Sequence, residues 1–210
     1  MSSSLRKPLF LAHITASVGW IGAVAVFLAL ALIAWHSGDP ATVRGAYLVM
    51  EPAAWYVLVP FAAATLISGV VQIATLHWRL LRDYWVLFKL VIALFISIVL
   101  LLYMQTFRAM ALAAADSALP LDAVRNASPL IHAALALAVL LVASALAIYK
   151  PRGSIGSTPR WARIFGGIVV LVIVLFVVLL LAKGPHGHGP GRQLGSAIDL
   201  PMMTSSKVHL

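Results

Sequence analysis

Residues 9–35 read LFLAHITASVGWIGAVAVFLALALIAW, a run without a single Asp, Glu, Lys or Arg. At 1.5 Å of rise per residue, a helix of this length exceeds the roughly 30 Å of a bilayer's hydrocarbon layer. Arg6 and Lys7 precede it, as basic residues precede a secretion leader. The apolar run is much longer than the roughly 7–15 residues of a leader core, so we expect an uncleaved transmembrane span. One feature of the run is not explained by lipid: His13, Thr15 and Ser17 stand in its first turns.

Four more segments are long and apolar enough to span. The boundaries expected from hydropathy are 9–35, 53–76, 86–107, 129–149 and 164–182. The composition agrees: 62% hydrophobic, 10% charged, mean hydropathy +1.02. The fold class expected is therefore an all-α polytopic membrane bundle of five transmembrane helices within residues 1–183. Short connectors with turn residues join them, as in Ser37-Gly38-Asp39-Pro40 and Lys150-Pro151-Arg152-Gly153. Residues 184–210 begin GPHGHGPGR and hold too few apolar side chains to pack alone, so a mobile tail is expected.

Charge sets the expected orientation. With the N-terminus in the cytoplasm, the inner side holds Arg6, Lys7, Arg79, Arg82, Lys150, Arg152, Arg160 and Arg163, and the outer side near the spans holds Arg44, Arg108, Arg125 and Lys183. This excess of inner cations follows the positive-inside rule and places the C-terminus outside. The formal net charge of +9 is scattered between apolar blocks, so the partner it implies is the lipid bilayer and not nucleic acid. The chain has no cysteine, which removes thiolate metal sites, iron–sulfur clusters and disulfides from consideration.

An ionisable side chain inside a span is costly and is a functional candidate by default. Toward the N-terminal side these are His13, His77 and Lys89; toward the other side they are Glu51, Arg108 and His132. Ser17 and Trp20 follow His13 by four and seven residues on one helix face, and Gly19 and Gly22 thin the helix beside them. A neutral imidazole there is either a haem-iron ligand or a headgroup-depth residue bonded to Ser17, a carbonyl or water. Lys89 follows Tyr84 and Trp85, and either snorkels to the headgroups or points inward to a carboxylate or a ligand propionate. Ser128-Pro129 reads as an N-cap with proline at the first helical position, placing His132 one turn into the fourth span. Glu51, Arg108 and His132 form either a polar cluster or ordinary edge pairs. Thr65, Ser68 and Gln72 read as helix-joining residues. His186 and His188 are metal candidates in the tail, for copper, nickel or zinc, with a solvated tail as the alternative.

His13, Trp20 and Gly22 in the first span, with Tyr84-Trp85-x-x-x-Lys89-Leu90 in the third, resemble a superfamily of small polytopic bacterial proteins that includes HemJ-type protoporphyrinogen oxidases and copper-resistance D-type membrane domains. Leu130-Ile131-His132 and Ala147-Ile148-Tyr149-Lys150-Pro151-Arg152-Gly153 are similar to integral membrane proteins common in actinobacteria. The resemblance implies a bacterial inner-membrane location and haem b, with His13 and Lys89 at the family's essential histidine and lysine. His132 or His77 is then a candidate second ligand and Trp20 and Trp85 are pocket walls. The chain departs from the HemJ type in its fifth span and HGH tail, and from the copper proteins in having no methionine pair inside a span.

Three functions follow. The first is a haem-linked redox protein working with a redox partner. The second is copper handling through His132 and the tail, and the third is an accessory subunit docked to other membrane subunits. Across roughly 30 Å of hydrocarbon one haem cannot join His13 to His132.

Overall fold

In a computed structural model, residues 3–76, 83–151 and 159–182 are described, and every element among them is helical. The elements are α1 (Ser3–His36), α2 (Pro40–Ala53), a π-helical turn (Ala54–Leu58), α3 (Val59–Leu76), α4 (Tyr84–Ala115), the short α5 (Leu121–Val124), α6 (Ser128–Tyr149) and α7 (Arg160–Ala182). Five continuous helical stretches are long and apolar enough to cross a membrane, so the chain is a multi-pass membrane protein with an all-α bundle fold. His77, the tail with His186 and His188, and the mobility expected of that tail lie outside the described residues.

The second crossing differs most from the sequence expectation of 53–76. It begins at Pro40 and runs as one helical column through α2, the π turn and α3. Arg44, Glu51 and Pro52 interrupt the hydropathy there, but Val43, Ala46, Tyr47 and Met50 recur at helical spacing and are all buried. Asp39 caps this helix: its carboxylate accepts from the Thr42 amide at 2.9 Å and the Ala41 amide at 3.4 Å, with Pro40 in the first turn. The π turn has a local cause. Pro60 has no N–H, and its ring would collide with the carbonyl of Tyr56 one turn back. Shifting the register so that the Val59 amide reaches Ala54 O relieves that collision without ending the helix.

The third crossing also overruns its expected end at 107, continuing past an exposed Arg108 to Ala115. One exposed cation on a helix surface leaves the backbone ladder intact. At the far end of α6, Lys150 takes a left-handed conformation (φ 41°, ψ 59°) before Pro151, which stops the helix.

α1 packs against α2, α3 and α6, and α4 against α2, α3 and α6, giving a four-crossing core. Of each spanning window, 33% of α1 is buried inside the protein but only 11% of α7. The fifth crossing is therefore an outrigger. It leans on α4 through rings: Phe165 on Phe88 at 4.9 Å, Trp161 on Phe88 at 6.2 Å, and Phe176 on Phe95 at 5.6 Å.

Close approach of α1 and α3 depends on glycines. A Cβ on Gly19 would stand 2.4 Å from the Phe61 ring, and one on Gly69 would stand 3.2 Å from the His13 ring. Small residues at such crossings let helices meet where lipid offers no hydrophobic driving force between them.

Candidate functional site

His13 sits at the α1–α3 crossing, half-buried, with Nδ1 at 2.9 Å from Ser68 Oγ. The Ser68 hydroxyl has one proton, and it is directed to the backbone of its own helix, at Ala64 O (2.5 Å) and Thr65 O (3.2 Å). Ser68 Oγ therefore accepts from His13, so in the neutral ring Nδ1 carries the hydrogen and Nε2 carries the lone pair. This is how a protein sets the tautomer of an imidazole that binds metal through Nε2. One turn away Gln72 donates to Leu9 O at 3.2 Å, a second polar stitch across the same crossing. Of the partners considered for His13, Ser17 is not the one seen; its side-chain partner is Ser68, on the neighbouring helix.

Lys89 is half-buried on α4 and within electrostatic reach of His13. No carboxylate meets it among the described residues. Trp85, its expected companion, takes no part in the aromatic cluster at the start of α4, which is built from Tyr84, Phe88, Trp161 and Phe165.

Toward the opposite end, His132 is buried. Its Nδ1 lies 2.8 Å from Ser128 O and 3.2 Å from Ser128 Oγ. A carbonyl only accepts, so here too Nδ1 bears the proton and Nε2 the lone pair. Tyr103 donates to Ser128 Oγ at 2.7 Å, and its ring lies 4.6 Å from the His132 ring. Ser128 was expected to cap α6. Ala127 holds the cap position instead, and the Ser128 side chain serves His132 and Tyr103. The network continues through Asn126, whose side-chain oxygen accepts from the Ser128 amide, to the fully buried Tyr47, which exchanges two hydrogen bonds with the Asn126 backbone.

His132 also borders an apolar cavity of about 70 Å³, whose wall includes Trp20, Phe27, Leu58, Phe107 and Phe176. Trp20, expected beside His13, thus belongs to the His132 side. The α1 residues lining this cavity lie 7 to 14 positions beyond His13, which at 1.5 Å per residue sets that wall roughly 10–20 Å further along α1 than His13. The structure does not bring the two imidazoles to one site. Nor does it join Glu51, Arg108 and His132: Arg108 is exposed, and no ion pair links it to Glu51. Among the described residues no three His, Asp or Glu side chains converge as a metal site.

Sequence reasoning missed Tyr103, Tyr47, Asn126 and the partner role of Ser68 toward His13. Tyrosine in an apolar helix carried a signal, because a buried phenol needs a hydrogen-bond partner. It also missed what Arg44 and Arg125 do. Arg44 donates to Ala114 O, Asp116 O and Leu119 O at 3.1, 2.6 and 2.5 Å, and Arg125 to Trp35 O and Ser37 O at 2.9 and 2.5 Å. Each guanidinium closes the C-terminal end of a helix from another element. Family models, curated proteins and solved structures all return no match to this chain.

Proposed function

We propose that this membrane protein binds a b-type haem at the His13 end of the bundle and serves one-electron redox chemistry there. One observation carries the reading: an imidazole with its Nε2 lone pair set by Ser68 interacts electrostatically with Lys89, a half-buried ammonium that no carboxylate meets among the described residues. A neutral nitrogen donor and a cation are what iron and a propionate require. The bound haem would supply the electron-accepting centre; the chain's own part is to fix the ring and leave a positive charge for an acid group.

His132 borders the small cavity described above. A cavity of about 70 Å³ is several-fold below the few hundred Å³ of a drug-sized ligand pocket, so a porphyrin does not enter there. Copper handling through His132 and the tail draws no support from the described residues. The resemblance to HemJ-type proteins, which have four spans, agrees with a four-crossing core to which the fifth helix is appended. On the orientation inferred from loop charges, His13 and Lys89 lie on the cytoplasmic side of a bacterial inner membrane.

The test is the oxidised and dithionite-reduced visible spectrum of the full chain, purified in mild detergent from haem-replete cells. We expect a Soret band that His13→Ala abolishes, Lys89→Ala weakens and His132→Ala leaves in place. A colourless wild-type protein, or an unchanged band in His13→Ala, overturns the reading.

A further inference from the structure

The cavity beside His132 is unexplained by any role assigned so far, and three features distinguish it from ordinary packing slack. It lies beside the register shift of the second crossing, because Leu58, the last residue of the π turn, forms part of its wall. Such turns recur at functional sites. It is bounded by large rings on α1 and α4 but by Ala133 and Ala136 on α6, so the sequence places the smallest side chains where a larger one would fill the space. A further side is bordered by Phe176, which is 2% exposed and comes from α7, the least buried crossing.

The chemistry of the wall decides what it takes. A buried water needs two to four polar partners. Here the polar groups are the edge of one imidazole and a tyrosine whose hydroxyl is given to Ser128. The rest of the wall is apolar, so the occupant it suits is uncharged and apolar. Size narrows the class further. A cavity of about 150 Å³ accepts benzene, so about 70 Å³ accepts about three heavy atoms. A quinone ring is too large to fit inside.

We propose that this cavity is a binding site for a gas-sized apolar molecule of the dioxygen class, reached from the bilayer past Phe176 between α4 and α6. Such molecules concentrate in hydrocarbon, and the outrigger helix is the element that can move aside without breaking the four-crossing core. The site stands apart from His13, and nothing in it requires haem.

Xenon is the probe. The full chain, methyl-labelled at Ala and Leu and held in lipid nanodiscs, is titrated with xenon pressure and read by methyl NMR. Saturable shifts confined to Leu58, Ala133, Ala136 and their neighbours are expected, with apparent affinity falling at least tenfold in Ala136→Leu. Should that variant not fold, Ala133→Val shrinks the same space, and a several-fold loss is expected. Shifts that rise linearly with pressure and extend over lipid-facing alanines overturn the proposal. So does saturable binding that persists when the cavity is filled.

Discussion

His132 and His13 both hand Nδ1 to a serine, yet the serines stand in different relation to them. Ser128 is four residues before His132 on the same helix, so that pair forms whenever α6 forms. Ser68 lies 55 residues from His13, and their bond exists only while α1 and α3 are docked. The surroundings repeat the contrast. Around His132 the helix ends are closed by Arg44 and Arg125 and the tyrosines are tied into backbone. Around His13 the ties are side-chain stitches across one crossing, and Lys89 meets no carboxylate among the described residues. The first end is structural polarity locked into the fold. The second is held by few, separable contacts, which is the condition for a site that a ligand completes.

Arg44→Ala is the strongest way to break this comparison. It strips a guanidinium from the carbonyls that end α4, groups with no partner inside their own helix. Hydrogen bonds to a charged group are worth about 1.5–3 kcal/mol, and we expect a loss of about 3 kcal/mol in reversible unfolding, read by steric trapping in bicelles. Arg44→Lys should recover only part of it, because a single ammonium cannot span acceptors that a planar fork reaches together. At the other end Ser68→Ala should cost about 1 kcal/mol, near the range measured for hydrogen bonds between membrane helices. Equal losses at the two sites would erase the asymmetry.

Gly19→Ala sharpens the same contrast at the α1–α3 crossing. On helix propensity alone the change should stabilise by about 0.8–1 kcal/mol. The added Cβ, however, meets three Phe61 ring carbons at 2.4, 2.7 and 2.8 Å. Overpacking of this kind costs about 1–3 kcal/mol, so the steric cost matches or exceeds the propensity gain and a net loss of up to about 2 kcal/mol is expected. Phe61→Leu in the same chain should return most of it, giving a coupling energy in a double-mutant cycle. A stabilised Gly19→Ala single variant would mean that the crossing is looser than drawn, and with it the His13–Ser68 bond.

The fold was legible because the physics that sets it is composition and length. Apolar runs such as residues 9–35 admit only helices in lipid, whatever their neighbours. The start of the second crossing was not legible from hydropathy, since Arg44, Glu51 and Pro52 depress any average; the periodic Val43, Ala46, Tyr47 and Met50, with Asp39-Pro40 before them, carried the signal in another form. Polar residues within spans could be named but not paired. Nothing in the spacing of His13 selects Ser68 over Ser17, because that choice depends on which helix face meets α3. Trp20 went to the wrong histidine for a related reason: seven residues along a helix preserve the face but move roughly 10 Å in depth, far enough to enter a different layer of the bundle. Arg44 and Arg125 were counted as loop charges, since a count does not see the carbonyls they close.

The smallest expected effect separates an exposed helix cap from the buried clamp beside it. The Asp39 carboxyl lies outside the spans, fully exposed, and the Thr42 hydroxyl, which bonds it at 2.5 Å, holds its pKa below the ordinary 3.8, with the Thr42 and Ala41 amides adding to this. The charged form is thus favoured more in the folded chain than in the unfolded one. The stabilisation is fully present above the unfolded value and is lost as pH falls through the lower folded value. Stability should therefore be insensitive to this residue's ionisation from pH 8 down to about 5, and decline only below about 4. Asp39→Asn, which still accepts the amide hydrogen bonds but cannot ionise, should remove that acid-limb component while changing the neutral-pH midpoint little. Unfolding midpoints of the two proteins at pH 7 and pH 3 decide it: if Asp39→Asn lowers stability at pH 7 as much as Arg44→Ala does, the cap is part of the clamp, and the division between a locked end and its exposed rim fails.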